Sequence, residues 1–445
     1  MKNLFRHNPV IVAFSWIAVY LLIIILPLLV LLIYPSTPDR GFWTEFSVAV
    51  GFIALAMMAL QFVLTARIGR IESSYGADIL LGFHRYTSLV AFALVLLHPV
   101  ILWIVQPQTL QLLDFPNAPW RARLAVLSTL SFILLVVTTL ARKSLKIPYE
   151  PWRFSHSVLS VLAVVLAFGH TIGVSNYLGL FWKALLWTGL ILAALWLIIY
   201  VRFIKPWLLM RYPYEVEEVR PERGDVWTLA LRPVNHAGFR FQPGQFSWLT
   251  LNITPFSMRE HPFSMSSSGD RSDRLEFGIK ALGDFTRRIK DVRPGTRAYL
   301  DGPYGVFTID RYWDSAGFVL IVGGIGITPI LSILVTAAQR QDDRPFLLIY
   351  ANKSWDDIPY RETLTELQAQ LDLEIVHVLR NPPDDWEGET GYVDQALLER
   401  YLPIHRGSRH YFICAAAKMM DQVEHALGNL DVPVTNIHLE HYNLA

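Results

Sequence analysis

Residues 84–98 read HRYTSLVAFALVLLH, and residues 156–170 read HSVLSVLAVVLAFGH. Each stretch is apolar between two histidines placed 14 residues apart. At about 100° per residue that spacing falls ~40° short of four turns, so both imidazoles of a stretch face one side of a helix, roughly 21 Å apart along its axis. Runs this apolar can cross a bilayer when they reach about 20 residues. Histidine at such depth is rare and marks function by default.

Six apolar runs of spanning length fall at 10–34, 43–66, 79–105, 123–141, 155–175 and 180–203. The first opens with Lys2 and Arg6 and shows no small-residue cleavage site before Pro35, so it reads as a retained helix. Alternate connections are basic. One set holds Lys2 and Arg6, then Arg67 and Arg70, then Arg142, Lys143, Lys146 and Arg153, then Arg202, Lys205 and Arg211. The opposite set holds only Arg40, Arg121, Arg123 and Lys183. The bias places both termini in the cytoplasm.

The third and fifth runs then point the same way, which sets His84 level with His156 near the inner surface and His98 level with His170 near the outer one. Two imidazoles at each level match the two axial positions of a haem iron, and a bundle core can hold such a group. Interhelical hydrogen bonds or a proton path are the alternative reading. Zinc fits less well, because neither level offers a carboxylate. Arg70, Arg85 and Arg153 at the inner level, and Arg40, Arg121 and Arg123 at the outer, could meet haem propionates or simply anchor the helix ends.

Composition agrees with a protein only partly in a membrane. Hydrophobic residues make up 53% of the 445 and charged residues 17%, against roughly 45–50% and about 25% in average globular chains. Disorder, collagen-like repeats and a disulfide scaffold are excluded, and Cys414, the only cysteine, rules out an intrachain disulfide. The formal net charge of +1 divides unevenly: residues 1–211 carry 16 Lys and Arg against 6 Asp and Glu, while residues 212–445 carry 23 against 32. No nucleic-acid partner is expected from the acidic half.

That half has a different texture. Short runs rich in β-branched and aromatic residues, Val226–Leu231, Gln245–Leu251, Leu275–Lys280 and Arg297–Leu300, predict a small antiparallel barrel. From Phe318 onward strands alternate with helices, which predicts a parallel sheet with crossover helices. His261-Pro262-Phe263-Ser264, placed just after a predicted strand, offers a stacking face and a hydroxyl to a flat ring, though an edge turn explains it equally. Lys280-Ala281-Leu282-Gly283-Asp284-Phe285-Thr286 runs from a strand toward a predicted helix start, a setting for a pyrophosphate. Val322-Gly323-Gly324-Ile325-Gly326-Ile327-Thr328-Pro329 joins a buried strand to a helix through three glycines, an arrangement that lets backbone approach phosphates closely, with a plain tight turn as the alternative.

In order and spacing these segments resemble the membrane flavohaem reductases of the NADPH oxidase and ferric reductase superfamily, of a prokaryotic type without a calcium-binding module. The resemblance runs from the paired histidines through Pro243-Gly244-Gln245-Phe246, His261–Ser264 and Gly302-Pro303-Tyr304-Gly305 to Gly323–Pro329. It implies a transmembrane di-haem domain over 1–211, an FAD-binding β-barrel over 212–313 and an NAD(P)H-binding α/β domain over 314–445. His261, Pro262, Phe263 and Ser264 would hold the FAD ring and ribityl chain, and Lys280, Gly283 and Thr286 its pyrophosphate. Gly323, Gly324, Gly326 and Thr328 would take the nicotinamide nucleotide's pyrophosphate. Asn352 and Lys353 would read its ribose, with Arg380 assisting, and Lys353 favours NADPH over the alternative donor, NADH.

Cys414 would sit at the hydride-transfer path, although the family's Cys-Gly-Pro is here Cys414-Ala415-Ala416. Tyr442 is the candidate for the family's C-terminal aromatic against the flavin. The resemblance implies FAD, two haems b and NADPH, in a bacterial inner membrane, with electrons leaving on the outer face. The acceptor would be dioxygen, giving superoxide, with a ferric chelate, giving Fe(II), as the alternative. A haem-free membrane flavoprotein that reduces a quinone or a protein is the further alternative. No obligate protein partner is evident.

Overall fold

A computed structural model describes residues 9–33, 40–68, 76–257 and 259–440 of the chain. Lys2, Arg6, Arg70 and Tyr442 lie outside the described residues. The chain divides into two compact units, Met1–Lys205 and Pro206–Ala445.

The first unit contains six helices long and apolar enough to cross a membrane. They are α1 (Pro9–Leu32), α2 (Phe42–Thr65), α3 (Ala77–Val105), α4 (Trp120–Leu140), α5 (Tyr149–Val174) and α6 (Phe181–Ile199). α6 continues through a π-helical turn at Tyr200–Ile204 into Lys205–Leu209. The fifth helix starts six residues before the predicted 155, because Pro148 precedes it with extended backbone and Glu150 suits its first turn. α2 is the most enclosed of the six. Its small residues Ala54, Ala56 and Ala59 are buried and let neighbours approach, whereas large apolar side chains such as Leu130, Leu134, Leu185 and Leu192 face outward as a lipid-contacting surface requires. A core of Phe52, Met58, Phe132, Leu135, Val164, Trp187 and Ile191 joins the helices. Lys183 is buried, and its Nζ donates to the Leu31 carbonyl at the end of α1, 2.8 Å away.

The second unit has two sheets. Strands β1 (Tyr214–Pro221), β2 (Val226–Pro233), β3 (Phe246–Leu251), β4 (His261–Ser264), β5 (Leu275–Lys280) and β6 (Arg297–Tyr304) form an antiparallel sheet in the order β4-β3-β6-β1-β2-β5. A bridge between Met265 and Phe277 brings its two edges together. The second sheet is parallel: β7 (Phe318–Gly323), β8 (Phe346–Asn352), β9 (Leu373–Leu379), β10 (Glu389–Thr390), β11 (His410–Cys414) and β12 (Ile437–Leu439), in the order β10-β9-β8-β7-β11-β12. Helices α7 (Ile327–Gln339) and α8 (Arg361–Gln368) pack into one apolar core with this sheet, and α9 (Gln395–Tyr401) and α10 (Ala417–Asn429) into another.

Two sequence expectations need correction. His261–Ser264 follows β3 as expected but is itself a strand, not an edge turn, pairing Leu249 with His261 and Phe246 with Ser264. Pro262 is tolerated because β4 is an edge strand. The helix expected at Gly283–Thr286 is a 3₁₀ segment of six residues, Thr286–Asp291. Pro294 disfavours helical backbone at Arg293 and limits its length.

Candidate functional site

The rings of His84 and His156 lie within electrostatic reach of each other, as do those of His98 and His170. The helical register derived from the spacing thus brings them together in those pairs. Three of the four Nδ1 atoms face oxygen: His98 meets the Ser47 carbonyl at 2.8 Å, His170 the Arg121 carbonyl at 2.9 Å and His156 the Thr139 hydroxyl at 3.2 Å. His84 Nδ1 is buried without a hydrogen-bond partner. Among the described residues no hydrogen bond is made by any of the four Nε2 atoms. An Nδ1–H tied to oxygen fixes the tautomer whose Nε2 lone pair is free to ligate a metal. The donor set of His98, His170 and His156 therefore fits axial ligation of a haem, and His84 joins them by its position opposite His156. Among the described residues no group of three or more His, Cys, Asp or Glu could hold a metal ion, whereas bis-imidazole haem needs only two from the protein.

The arginines divide by what they touch. Arg123 spends its guanidinium on the carbonyls of Ala118 and Pro116, at 2.8 and 2.7 Å, capping its own connection. Arg40 lies over the Tyr177 ring, 5.7 Å from its centre. On the other side Arg142 lies over Trp152 at 5.1 Å, and Trp152 packs on His156. Arg202, on the π-helical turn, donates to Ser157 at 3.1 Å.

In the antiparallel sheet, β4 presents an aromatic patch. His261 stacks on Phe285 with ring centres 4.0 Å apart, and Phe263 lies parallel to Phe285 at 6.1 Å. The sequence does not single out Phe285, because its partners lie 22 and 24 residues upstream. Ser264 is buried at the strand's end. Thr286 closes the loop after β5: its hydroxyl accepts the Gly283 and Leu282 N–H groups at 2.8 and 3.0 Å. The Pro243–Phe246 and Gly302–Gly305 segments meet, with Phe246 opposite Tyr304 and the Gln245 amide donating to the Gly305 carbonyl.

In the parallel sheet, strand order reverses between β7 and β11, and ligands of open α/β sheets bind at the carboxyl ends beside such a switch point. Gly323–Gly326 and Cys414 both lie there, with Cys414 opposite Val322. A Cβ at Gly326 would strike the Cys414 carbonyl, so only glycine permits this approach. Cys414 is fully buried, its thiol 3.6 Å from the Glu440 carbonyl. Thr328 is buried as well; it donates to the Ile325 carbonyl at 2.9 Å and also faces the Gly278 carbonyl. Thr328, Ser332 and Thr336 recur every fourth residue on α7. Ser332 donates to the Ser267 carbonyl at 2.8 Å, and Thr336 accepts the Gly269 N–H at 2.9 Å. This hydroxyl stripe binds the nucleotide sheet's first helix to the antiparallel sheet.

Asn352 ends β8, and Lys353 and Arg380 are exposed just past β8 and β9. The Arg380 N–H donates to the Asn352 carbonyl at 3.1 Å, which holds the two strand ends together. Asn352 Nδ2 is buried without a partner. Nearby, Trp355 and Trp386 pack at 5.1 Å and Arg361 caps Trp355 at 4.4 Å, a platform that residue-type spacing alone does not reveal. His377 packs edge-on against Trp355, and burial lowers its pKa to about 4.

Comparison with known proteins gives three consecutive family matches. Residues 50–167 match the ferric reductase like transmembrane component, 211–308 an FAD-binding domain and 320–425 an oxidoreductase NAD-binding domain. Among curated relatives, ferredoxin–NADP reductase B of Sorangium cellulosum is 27% identical over 52% of this chain and 98% of its own length. The reductase component of propane 2-monooxygenase from Mycolicibacterium smegmatis is 28% identical over 46% of this chain, and this chain spans only 60% of that relative. The flavohemoglobin of Malassezia yamatoensis shares fold at a TM-score of 0.50 and 15% identity, over 91% of this chain and 99% of that one. Six membrane-spanning helices followed by an antiparallel flavin-type sheet and a parallel nucleotide-binding sheet make this a multi-pass integral membrane protein with the architecture of the NADPH oxidase and ferric reductase superfamily.

Proposed function

We propose that the protein oxidises cytoplasmic NADPH and delivers the electrons to dioxygen on the outer face of a bacterial inner membrane, giving superoxide. The observation that carries this reading is the two levels of facing histidines with their Nε2 atoms unspent, on the same chain as FAD-binding and NAD-binding domains. FAD and two haems b, when bound, supply the conversion of a hydride's two electrons into single electrons and their passage across the bilayer. The chain's residues supply position. His84 with His156, and His98 with His170, would hold the irons by Nε2. β4 would present His261, Pro262, Phe263 and Ser264 to the flavin, with Lys280, Gly283 and Thr286 at its pyrophosphate.

Gly323, Gly324 and Gly326 would receive the nucleotide's pyrophosphate, with Thr328 pinning the turn beneath them. Lys353 and Arg380 would pair with a ribose 2′-phosphate beside Asn352, Cys414 would sit beside the hydride-transfer path, and Tyr442 would lie against the flavin. The domain limits in this reading are 1–211, 212–313 and 314–445. The basic connections support cytoplasmic termini.

A second reading, ferric-chelate reduction to Fe(II), is favoured by the transmembrane family match itself. NADPH-driven cytochrome c reduction by the purified protein separates the two. Inhibition by superoxide dismutase is expected. Indifference to the dismutase, with fast reduction of a ferric chelate, would replace dioxygen by the chelate.

A further inference from the structure

The second span carries no histidine, yet its outer part grips one of the four. Ser47 is fully buried on α2, and its hydroxyl donates to the backbone carbonyl of His98 at 2.7 Å. The Ser47 carbonyl faces Nδ1 of the same residue at 2.8 Å, and the hydroxyl lies 3.0 Å from that nitrogen. One turn further on, Gly51 leaves room for the ring: a Cβ there would stand 3.2–3.4 Å from three imidazole atoms. Residues i and i+4 share a helix face, so Ser47 and Gly51 form one cradle, with a polar end and an empty end.

The other three histidines are held differently. His170 has one carbonyl, His156 has one hydroxyl, and His84 Nδ1 has no acceptor. We propose that Ser47 and Gly51 are positioning residues that set the orientation and basicity of the His98 ring, and so tune the outer site independently of the inner one. The inference rests on the reading of the histidines as haem ligands. An Nδ1–H held on oxygen makes Nε2 a stronger donor, which favours the oxidised metal. Loosening the grip should therefore make the outer site easier to reduce.

Redox titration of the purified full chain, followed optically and by low-spin electron paramagnetic resonance, tests this. The wave that disappears in His98→Ala marks the outer site. In Ser47→Ala and Gly51→Ala the reduced-to-oxidised ratio of that wave at a fixed potential should rise about tenfold, or about 59 mV for one electron. The other wave should stay where it is, and the outer signal's g-values should move. Gly82→Ala is the control, since a Cβ there meets nothing within 4 Å. If haem binds and neither wave moves, or both move equally, the positioning role is overturned while the haem reading stands. If the wild-type chain takes up no haem, both fall. Should Gly51→Ala fail to fold, Ser47→Ala decides alone.

Discussion

The two units build their sites by opposite means. In the proposed function the chemistry of the membrane unit would rest on a few polar side chains in apolar helices, whose backbone is spent inside those helices as a bilayer demands. In the Pro206–Ala445 unit it would rest largely on backbone, at strand ends where Gly326 lets chain approach chain. Truncating a side chain should therefore be the damaging change in the first, and adding a Cβ the damaging change in the second.

The largest effect is expected from His98→Ala. Pyridine haemochrome assay should fall from about two haems per chain to about one, with FAD retained. Retention of both haems would show that the outer pair does not ligate iron and would break the contrast at its root. Gly326→Val is the counterpart in the nucleotide-binding sheet. Its side chain would drive into the Cys414 carbonyl, which is backbone and cannot rotate away. A loss of more than ~3 kcal/mol is expected, measured by thermal unfolding of the reductase signal, while the haem spectrum is unchanged.

A smaller effect is expected from Lys353→Ala, which removes an exposed cation and leaves the fold alone. The KM for NADPH should rise about tenfold or more, as a charged hydrogen bond of about 1.5–3 kcal/mol implies, and the KM for NADH should stay constant. Equal changes for both nucleotides would remove Lys353 from the ribose site.

The smallest concerns acid stability. His438 is stacked on Tyr312 and bonded to His410, 2.9 Å between nitrogens, and burial with neighbouring positive charge lowers its pKa to about 3. A histidine with a depressed folded pKa stays neutral in the native state while the unfolded chain takes up a proton. Stability is therefore undiminished above about 6.5 and falls as pH drops from there toward 3, by at most about 1.4 kcal/mol per unit. Denaturant melts at pH 7 and pH 5 should show a shallower loss in His438→Gln than in wild type. An unchanged slope would mean another group governs the acid limb.

Sequence legibility differs between the units for physical reasons. The spans are legible because hydropathy over about 20 residues is a local property, and the pairing of His84 with His156 and His98 with His170 follows from helical register. The grip of Ser47 on His98 joins residues 51 apart on two helices, so no local pattern announces it. Strands β2, β3, β5 and β7 are legible from β-branched runs. β4 reads as a turn segment because Pro262 masks an edge strand. The helix start expected at Thr286 fails because the same residue types serve a 3₁₀ turn. The glycine segment is legible in outline, but the hydroxyl stripe of Thr328, Ser332 and Thr336 acquires its meaning only once the antiparallel sheet lies against it.

Whether the facing histidines carry two haems is decided by the dithionite-reduced minus oxidised spectrum of the purified chain with quantified haem. The expected result is b-type α-band absorbance at about two haems per FAD, with low-spin signals of bis-imidazole iron. A flavoprotein that holds FAD and oxidises NADPH but shows no α-band would contradict it.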